Sequence, residues 1–186
     1  MSRGFIYSII KICKLFIIVL SLSLLIESYI LGLTVVNGES MMNTIKNNDR
    51  ILVDKISYLF EKPTRGDVVI FNPPIAGRER ELFIKRIIAV PGDYFQIINN
   101  NLYLNGTLIS ENYINSNNSY RKEYKLLEGE VPKGYVYVLG DNRDNSNDSR
   151  VFGLVPIKNI KGKALTKIWP LGGIKSLAVH LDDNFN

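Results

Sequence analysis

The chain has 186 residues, a formal net charge of +5, and a single cysteine and histidine, Cys13 and His180. One cysteine excludes an intrachain disulfide, and one Cys with one His cannot build a metal cage, so no metal or cofactor is expected. The cations interleave with acids (Arg78-Glu79-Arg80-Glu81, Arg121-Lys122-Glu123). That is a solvated surface without the basic stripe of a nucleic-acid binder.

Residues 1–14 carry Arg3, Lys11 and Lys14 and no acid, and are expected to be a cytoplasmic tail. From Leu15 to Val36 the chain is apolar apart from Glu27, a few serines, Tyr29, Gly32 and Thr34. That length suits a helix crossing a hydrocarbon core, which needs roughly 20 residues. The cations before it predict that everything after Val36 lies outside the cytoplasm. A cleaved secretory leader is the competing reading, with Leu15 to Ile26 as its apolar core. No A-x-A-like site follows, so an uncleaved signal-anchor over residues 15–36 is expected. Glu27 sits uneasily in such a span, because an acid near mid-membrane is costly.

Strand periodicity then takes over. Arg50 to Lys55, Asp67 to Phe71 and Leu82 to Val90 read as strands, with Arg65-Gly66-Asp67 and Asn72-Pro73-Pro74 as turns and Pro91-Gly92-Asp93 as a stop. A hairpin set follows over Tyr94 to Ile98, Leu102 to Leu104 and Thr107 to Ile109, with Asn105-Gly106 as a type I′ turn. Ser110 to Glu130 is polar and reads as a surface loop within an excursion of about 99–134. Tyr135 to Gly140 is a strand, Asp141 to Arg150 a polar loop, and Phe152 to Val155 and Ala164 to Trp169 short strands. The fold class expected is mainly β. It comprises an antiparallel β-sheet domain over 37–175, of packed sheets or a partly open barrel, behind one N-terminal transmembrane helix. Residues 176–186 read as a tail.

Two residues are candidates for chemistry. Ser40 lies in a short polar loop just past the apolar run, and no histidine is near it in sequence. A lysine can serve as its base if burial lowers the amine's pKa. In the strand after Leu82, Phe83, Lys85, Ile87 and Ala89 share one face, while Ile84, Arg86, Ile88 and Val90 share the other. Each face is apolar except for one cation. Arg86 does not titrate usefully, so Lys85 is the candidate base, against the plainer alternative that it snorkels to water. Gly38 would let backbone approach a substrate closely, as an oxyanion hole of main-chain N–H groups requires. The alternating Asp and Asn of Gly140 to Arg150 suggest calcium, but no helices flank the loop and no closing Glu follows. A network of Asp–Arg pairs explains it better.

Together these segments resemble the bacterial type I signal peptidases, membrane-anchored Ser–Lys endopeptidases. Ser40-Met41-Met42-Asn43-Thr44-Ile45 is similar to that family's Ser-Met-x-Pro-Thr-Leu box. Arg65 to Val69 resembles its Gly-Asp-Val strand entry, and Lys85 to Asp93 its Lys-Arg…Pro-Gly-Asp box. Gly140 to Arg150, with Phe152-Gly153 following, resembles its Gly-Asp-Asn…Ser-x-Asp-Ser-Arg box. The resemblance implies Ser40 as nucleophile and Lys85 as general base. It implies Ser146 orienting the amine, an Asp148–Arg150 supporting ion pair, and the Ser40 backbone N–H in the oxyanion hole. Val36, Gly38, Met41, Ile45, Phe83 and Ile84 match positions around the shallow substrate pockets, and Trp169 a position near the membrane-facing surface. Exported preproteins with signal peptides and the phospholipid of the cytoplasmic membrane are the implied partners. Two positions depart from the pattern: Asn43 replaces proline, and Gly32-Leu33 replaces a Glu-Pro. The alternative reading is a catalytically silent, membrane-tethered β domain that binds exported chains.

Overall fold

The computed structural model describes residues 3–114, 125–170 and 176–181. It opens with helix α1, Arg3–Tyr29. The apolar run divides there, because Leu31–Val35 forms strand β1. Gly32, Thr34 and Val35 are weak helix formers, and β1 finds a partner in β2, Arg50–Asp54, with Leu31 opposite Asp54 and Val35 opposite Arg50. The apolar run to Val36 is therefore not one element: its helix ends at Tyr29. Tyr7–Tyr29 has a mean hydropathy of 2.6 over its best window and is long and apolar enough to cross a membrane. Glu27 falls in the last turn of α1, away from its middle. Lys55 Nζ donates to the carbonyls of Glu27 and Ser28 at 2.9 and 3.2 Å. A cation on otherwise unpaired helix-end carbonyls is favourable.

The remaining elements are α2 (Ser57–Phe60), β3 (Val68–Phe71), β4 (Phe83–Ala89), β5 (Tyr94–Ile98), β6 (Asn101–Leu104), β7 (Thr107–Leu108), β8 (Glu128–Glu130), β9 (Tyr135–Leu139), α3 (Ser149–Phe152), β10 (Val155–Pro156) and β11 (Ile160–Trp169). Seven strands form one antiparallel sheet in the order β1-β2-β11-β3-β4-β9-β10. The excursion forms a second sheet, β7-β6-β5-β8. Asn105 and Gly106 both have positive φ (52° and 84°), as a type I′ turn demands. Residues 115–124 of the expected surface loop lie outside the described residues. The fold is mainly β, as expected, with register shifts in β4 and β11 that curl the larger sheet.

Two local expectations change. Phe152 to Val155 is not a strand; Ser149–Phe152 is one helical turn, and β10 begins at Val155. Asp148 caps that turn by accepting from the Arg150 N–H, and Gly153 ends it at φ 88°. The alternation in β4 also breaks: a bulge between Ile87 and Ala89 sends Ala89 into the cluster that holds Ile88, away from the cluster of Ile87.

Among the described residues, three apolar clusters pack the domain. Phe95, Leu104 and Tyr137 lie between the two sheets, Val36, Met41, Ile45 and Ile51 under the Ser40 loop, and Val69, Phe71, Ile87 and Val138 on the far side of β4. The chain after residue 175 is more than a loose tail. Leu177 and Leu181 are buried, and the Val179 N–H donates to the Gly66 carbonyl at 3.3 Å. Gly66 has φ 87°, and a Cβ there would sit 1.8 Å from the Val179 carbonyl oxygen, so only glycine lets this segment close over the turn. Residues 182–186 lie outside the described residues.

Candidate active site

Ser40 and Lys85 meet. The loop from Glu39 to Ile45 is wound by tight turns, with the Met42 N–H donating to Glu39 O and the Ile45 N–H to Met41 O at 3.0 and 2.9 Å. Its apolar side chains, Met41 and Ile45, are the pegs: both are buried in the core beneath it. Lys85 arrives from the middle of β4, where Val69 is its cross-strand neighbour on β3. Its Nζ lies 2.7 Å from Ser40 Oγ and donates to the Ile84 carbonyl at 2.8 Å. Lys85 is only 4% exposed. Burial lowers its pKa to about 8, a drop that the negative charges of Asp148 and Asp141 only partly oppose. The alternative in which Lys85 snorkels to water is thereby excluded.

The loop Gly140 to Arg150 forms the other wall. Asp148 and Arg150 pair through two 2.8 Å bonds and are fully buried. Asp148 also accepts from the Gly140 N–H at 3.0 Å. Gly140 is where the walls touch: a Cβ there would lie 2.2 Å from Ser146 Oγ and 2.4 Å from the Ser40 carbonyl. Asn142 holds the Ser40 loop from this side. Its N–H donates to Ser40 O and its side-chain amide to Glu39 O, both at 3.0 Å. Ser146 is buried beside this contact, but its hydroxyl makes no hydrogen bond among the described residues. The expected bond to Lys85 is thus not made here, and the Ile84 carbonyl orients the amine instead.

A groove of about 550 Å³ opens in front of Ser40 and Lys85. Val36, Gly38, Phe83 and Ile84 line it as the resemblance implies, whereas Met41 and Ile45 lie below it in the core. The Gly38 N–H donates to Asn47 Oδ1 at 2.9 Å. A serine hydroxyl in contact with a buried amine of lowered pKa, at the foot of an open groove, is an arrangement that suits acyl transfer.

The model of the family described as "Signal peptidase, peptidase S26" matches residues 9–169. The chain belongs to that family. It is 38% identical over 161 residues to a signal peptidase I of Leptolyngbya laminosa, covering 84% of this chain and 77% of the relative. It is 32% identical over 189 residues to signal peptidase IB of Staphylococcus aureus, covering 94% and 95%. A crystal structure of a signal peptidase I from Enterococcus faecalis aligns with a TM-score of 0.47 at 35% identity, over 57% of this chain and 98% of that one. As a member of the signal peptidase family, this enzyme is a serine endopeptidase.

Other residues of the peptidase site carried little sequence signal. Arg86 is fully buried and forks onto Asp141 through bonds of 2.9 and 2.7 Å, and it donates to the carbonyls of Gly66 and Leu177 at 2.8 Å. Thr44 Oγ1 donates to the same Asp141, so one carboxylate ties the Ser40 loop to β4. The excursion contributes too. Glu111 pairs with buried Arg143, whose Nε donates to Gly140 O at 3.1 Å, and the Tyr113 ring lies against the Arg86 guanidinium at 4.4 Å. The Lys-Arg and Asp–Arg motifs hinted at paired charges, but which acid meets which base depends on contacts 32 and 55 residues apart. Asn43 has φ 100°, a value open to Asn but closed to proline, so this loop takes a different path from one that carries proline there.

Proposed function

We propose that this enzyme removes N-terminal signal peptides from exported preproteins, cutting after small residues, with Ser40 as nucleophile and Lys85 as general base. The observation that carries this reading is the 2.7 Å contact between Ser40 Oγ and a buried amine whose pKa lies near 8. The preprotein lies extended in the groove, hydrogen-bonded to strand edges, with small side chains in the shallow walls made by Val36, Phe83 and Ile84. Neutral Lys85 takes the Ser40 proton as Oγ attacks the scissile carbonyl. The oxyanion forms against the Ser40 backbone N–H, and the lysine then protonates the leaving amine. Water activated by the same lysine hydrolyses the acyl-enzyme. Ser146, Asp148 and Arg150 hold the wall against which the amine is packed.

The helix Tyr7–Tyr29 anchors the enzyme, with residues before it in the cytoplasm and the catalytic domain, from β1 onward, on the outer face of the cell membrane. Confinement of enzyme and substrate to one plane raises their effective concentration. A catalytically silent β domain, the alternative reading, does not suit a serine endopeptidase family or a formed Ser–Lys contact.

The test is the pH dependence of preprotein cleavage in detergent by the wild type and by Lys85→Ala. Activity should rise through a pKa near 8 and vanish in the variant. Robust cleavage by Lys85→Ala would assign the base elsewhere, with His180 the next residue to replace.

A further inference from the structure

We infer that Lys55 is a positioning residue: it fastens α1 to the sheet domain as one rigid body and so fixes the height and direction of Ser40 above the bilayer. The inference rests on the membrane-anchored peptidase reading above.

Ile30 is the one residue between the end of α1 at Tyr29 and the start of β1 at Leu31. Left to itself, such a junction turns about its soft backbone dihedrals, and the domain would swing on its anchor. Packing does little to oppose that swing. The apolar window of α1 is 0% buried. A cavity of about 420 Å³, walled by Glu27, Ser28, Gly32, Lys55 and Lys161 among other residues, lies between the last turn of α1 and the sheet. Among the described residues, every hydrogen bond that joins α1 or Ile30 to the domain comes from Lys55. Its N–H donates to the Ile30 carbonyl at 2.9 Å, and its Nζ reaches the carbonyls of Glu27 and Ser28. Helix-end carbonyls have no partner within the helix, and at the boundary of a bilayer they have less water to turn to. A cation placed there binds the negative end of the helix dipole.

Lys55 is itself firmly held. It follows Asp54, which ends β2 and stands opposite Leu31 of β1 and Lys163 of β11. The Asp54 carboxylate accepts from the N–H groups of Ile56 and Ser57, both at 2.9 Å, which fixes the chain as it leaves Lys55. Gly32 makes the crossing possible. A Cβ there would lie 2.6 Å from Lys55 Cε and 3.2 Å from Nζ, so the lysine stem runs directly over the glycine. The departure of the sequence at position 32 thereby acquires a use. From this fastening, β1 runs toward the nucleophile, paired with β2 at all five of its residues. At about 3.3 Å per residue that strand spans roughly 16 Å, after which Val36 to Gly38 lead to the Ser40 loop. A helix fixed to β1 and β2 therefore fixes Ser40 relative to the membrane.

The test uses the full chain in liposomes, spin-labelled at the native Cys13 in α1 and at Lys133→Cys, an exposed position between β8 and β9. The distance distribution between the labels should be narrow with Lys55 in place and about twice as broad or more in Lys55→Met. Gly32→Val, which takes the space of the lysine stem and leaves the amine present, should broaden it as well. A broad distribution with Lys55 and Gly32 intact, or an unchanged width in either variant, overturns the inference. Activity gives a second readout. Lys55→Met should process a membrane-inserted preprotein about tenfold more slowly, yet cleave a soluble Ala-x-Ala peptide in detergent within about twofold of the wild type. Equal loss on both substrates would make Lys55 a support of the fold alone and overturns the inference, as does unchanged cleavage of both. If the wild type cleaves neither substrate, the peptidase reading fails, and the label distances alone decide whether Lys55 fixes the domain on its anchor.

Discussion

Two cations stand side by side on β4 and are put to opposite uses. Arg86, on one face, donates two bonds to a buried carboxylate and one to each of two backbone carbonyls. Lys85, on the other, has a serine hydroxyl and one carbonyl, with Asp148 and Asp141 acting only through space. Both are removed from water. The first is surrounded by acceptors and works as a rivet. The second is short of acceptors, so burial lowers its pKa and it can exchange a proton. Reactivity here comes from a deficit of partners at one position and stability from a surplus at the next.

The largest expected effect comes from erasing that contrast. Lys85→Arg puts a permanent cation at the base position and should lower cleavage by about 10³-fold or more, measured by single-turnover preprotein processing. Asp141→Asn attacks the other side by leaving Arg86 buried with its counter-charge removed. It should cost about 3–5 kcal/mol in thermal or urea unfolding, and the double change Arg86→Met with Asp141→Leu should cost less than the single one.

Lys85→Met should abolish cleavage but stabilise the fold at neutral pH, by roughly 3 kcal/mol at most, the value of a pKa moved from 10.5 to about 8. The direction follows from proton binding. Between pH 8 and 10.5 the unfolded lysine holds a proton that the folded one has released, so the wild type gains stability as pH rises through that window. The variant should lack this slope in unfolding curves taken across it. Gly140→Ala wedges a methyl between Ser146 and the Ser40 carbonyl and should lower kcat by about 10²-fold with the fold retained by circular dichroism. The smallest effect is expected of Glu111→Gln. It weakens the hold on Arg143 and hence on Gly140, and should lower kcat roughly tenfold or less, with the pH midpoint unchanged.

The strands around the site were legible in the sequence because each announces itself locally. β4 alternates around its two cations, and Asn105-Gly106 has few conformations open to it. Ser40 and Lys85 were legible as a pair only through ordered motifs, since 45 residues separate them and neither is unusual alone. The junction of α1 and β1 was not legible, because an apolar run has no internal mark of where a helix yields to a strand; the cross-strand partner that decides it lies near residue 50. The roles of Glu111, Thr44 and the 176–181 segment were equally hidden. Their contribution is a carboxylate, a hydroxyl or a carbonyl delivered across the fold, and such groups leave no periodic trace.

The segment 176–181 has a consequence for timing. Synthesis runs from the N-terminus, so every strand of both sheets is made before Leu177 is. Until then the Arg86 guanidinium has no Leu177 carbonyl to donate to, and the Gly66 turn lies uncovered. The nascent enzyme therefore carries an unfinished support beneath β4 until this last strap has docked.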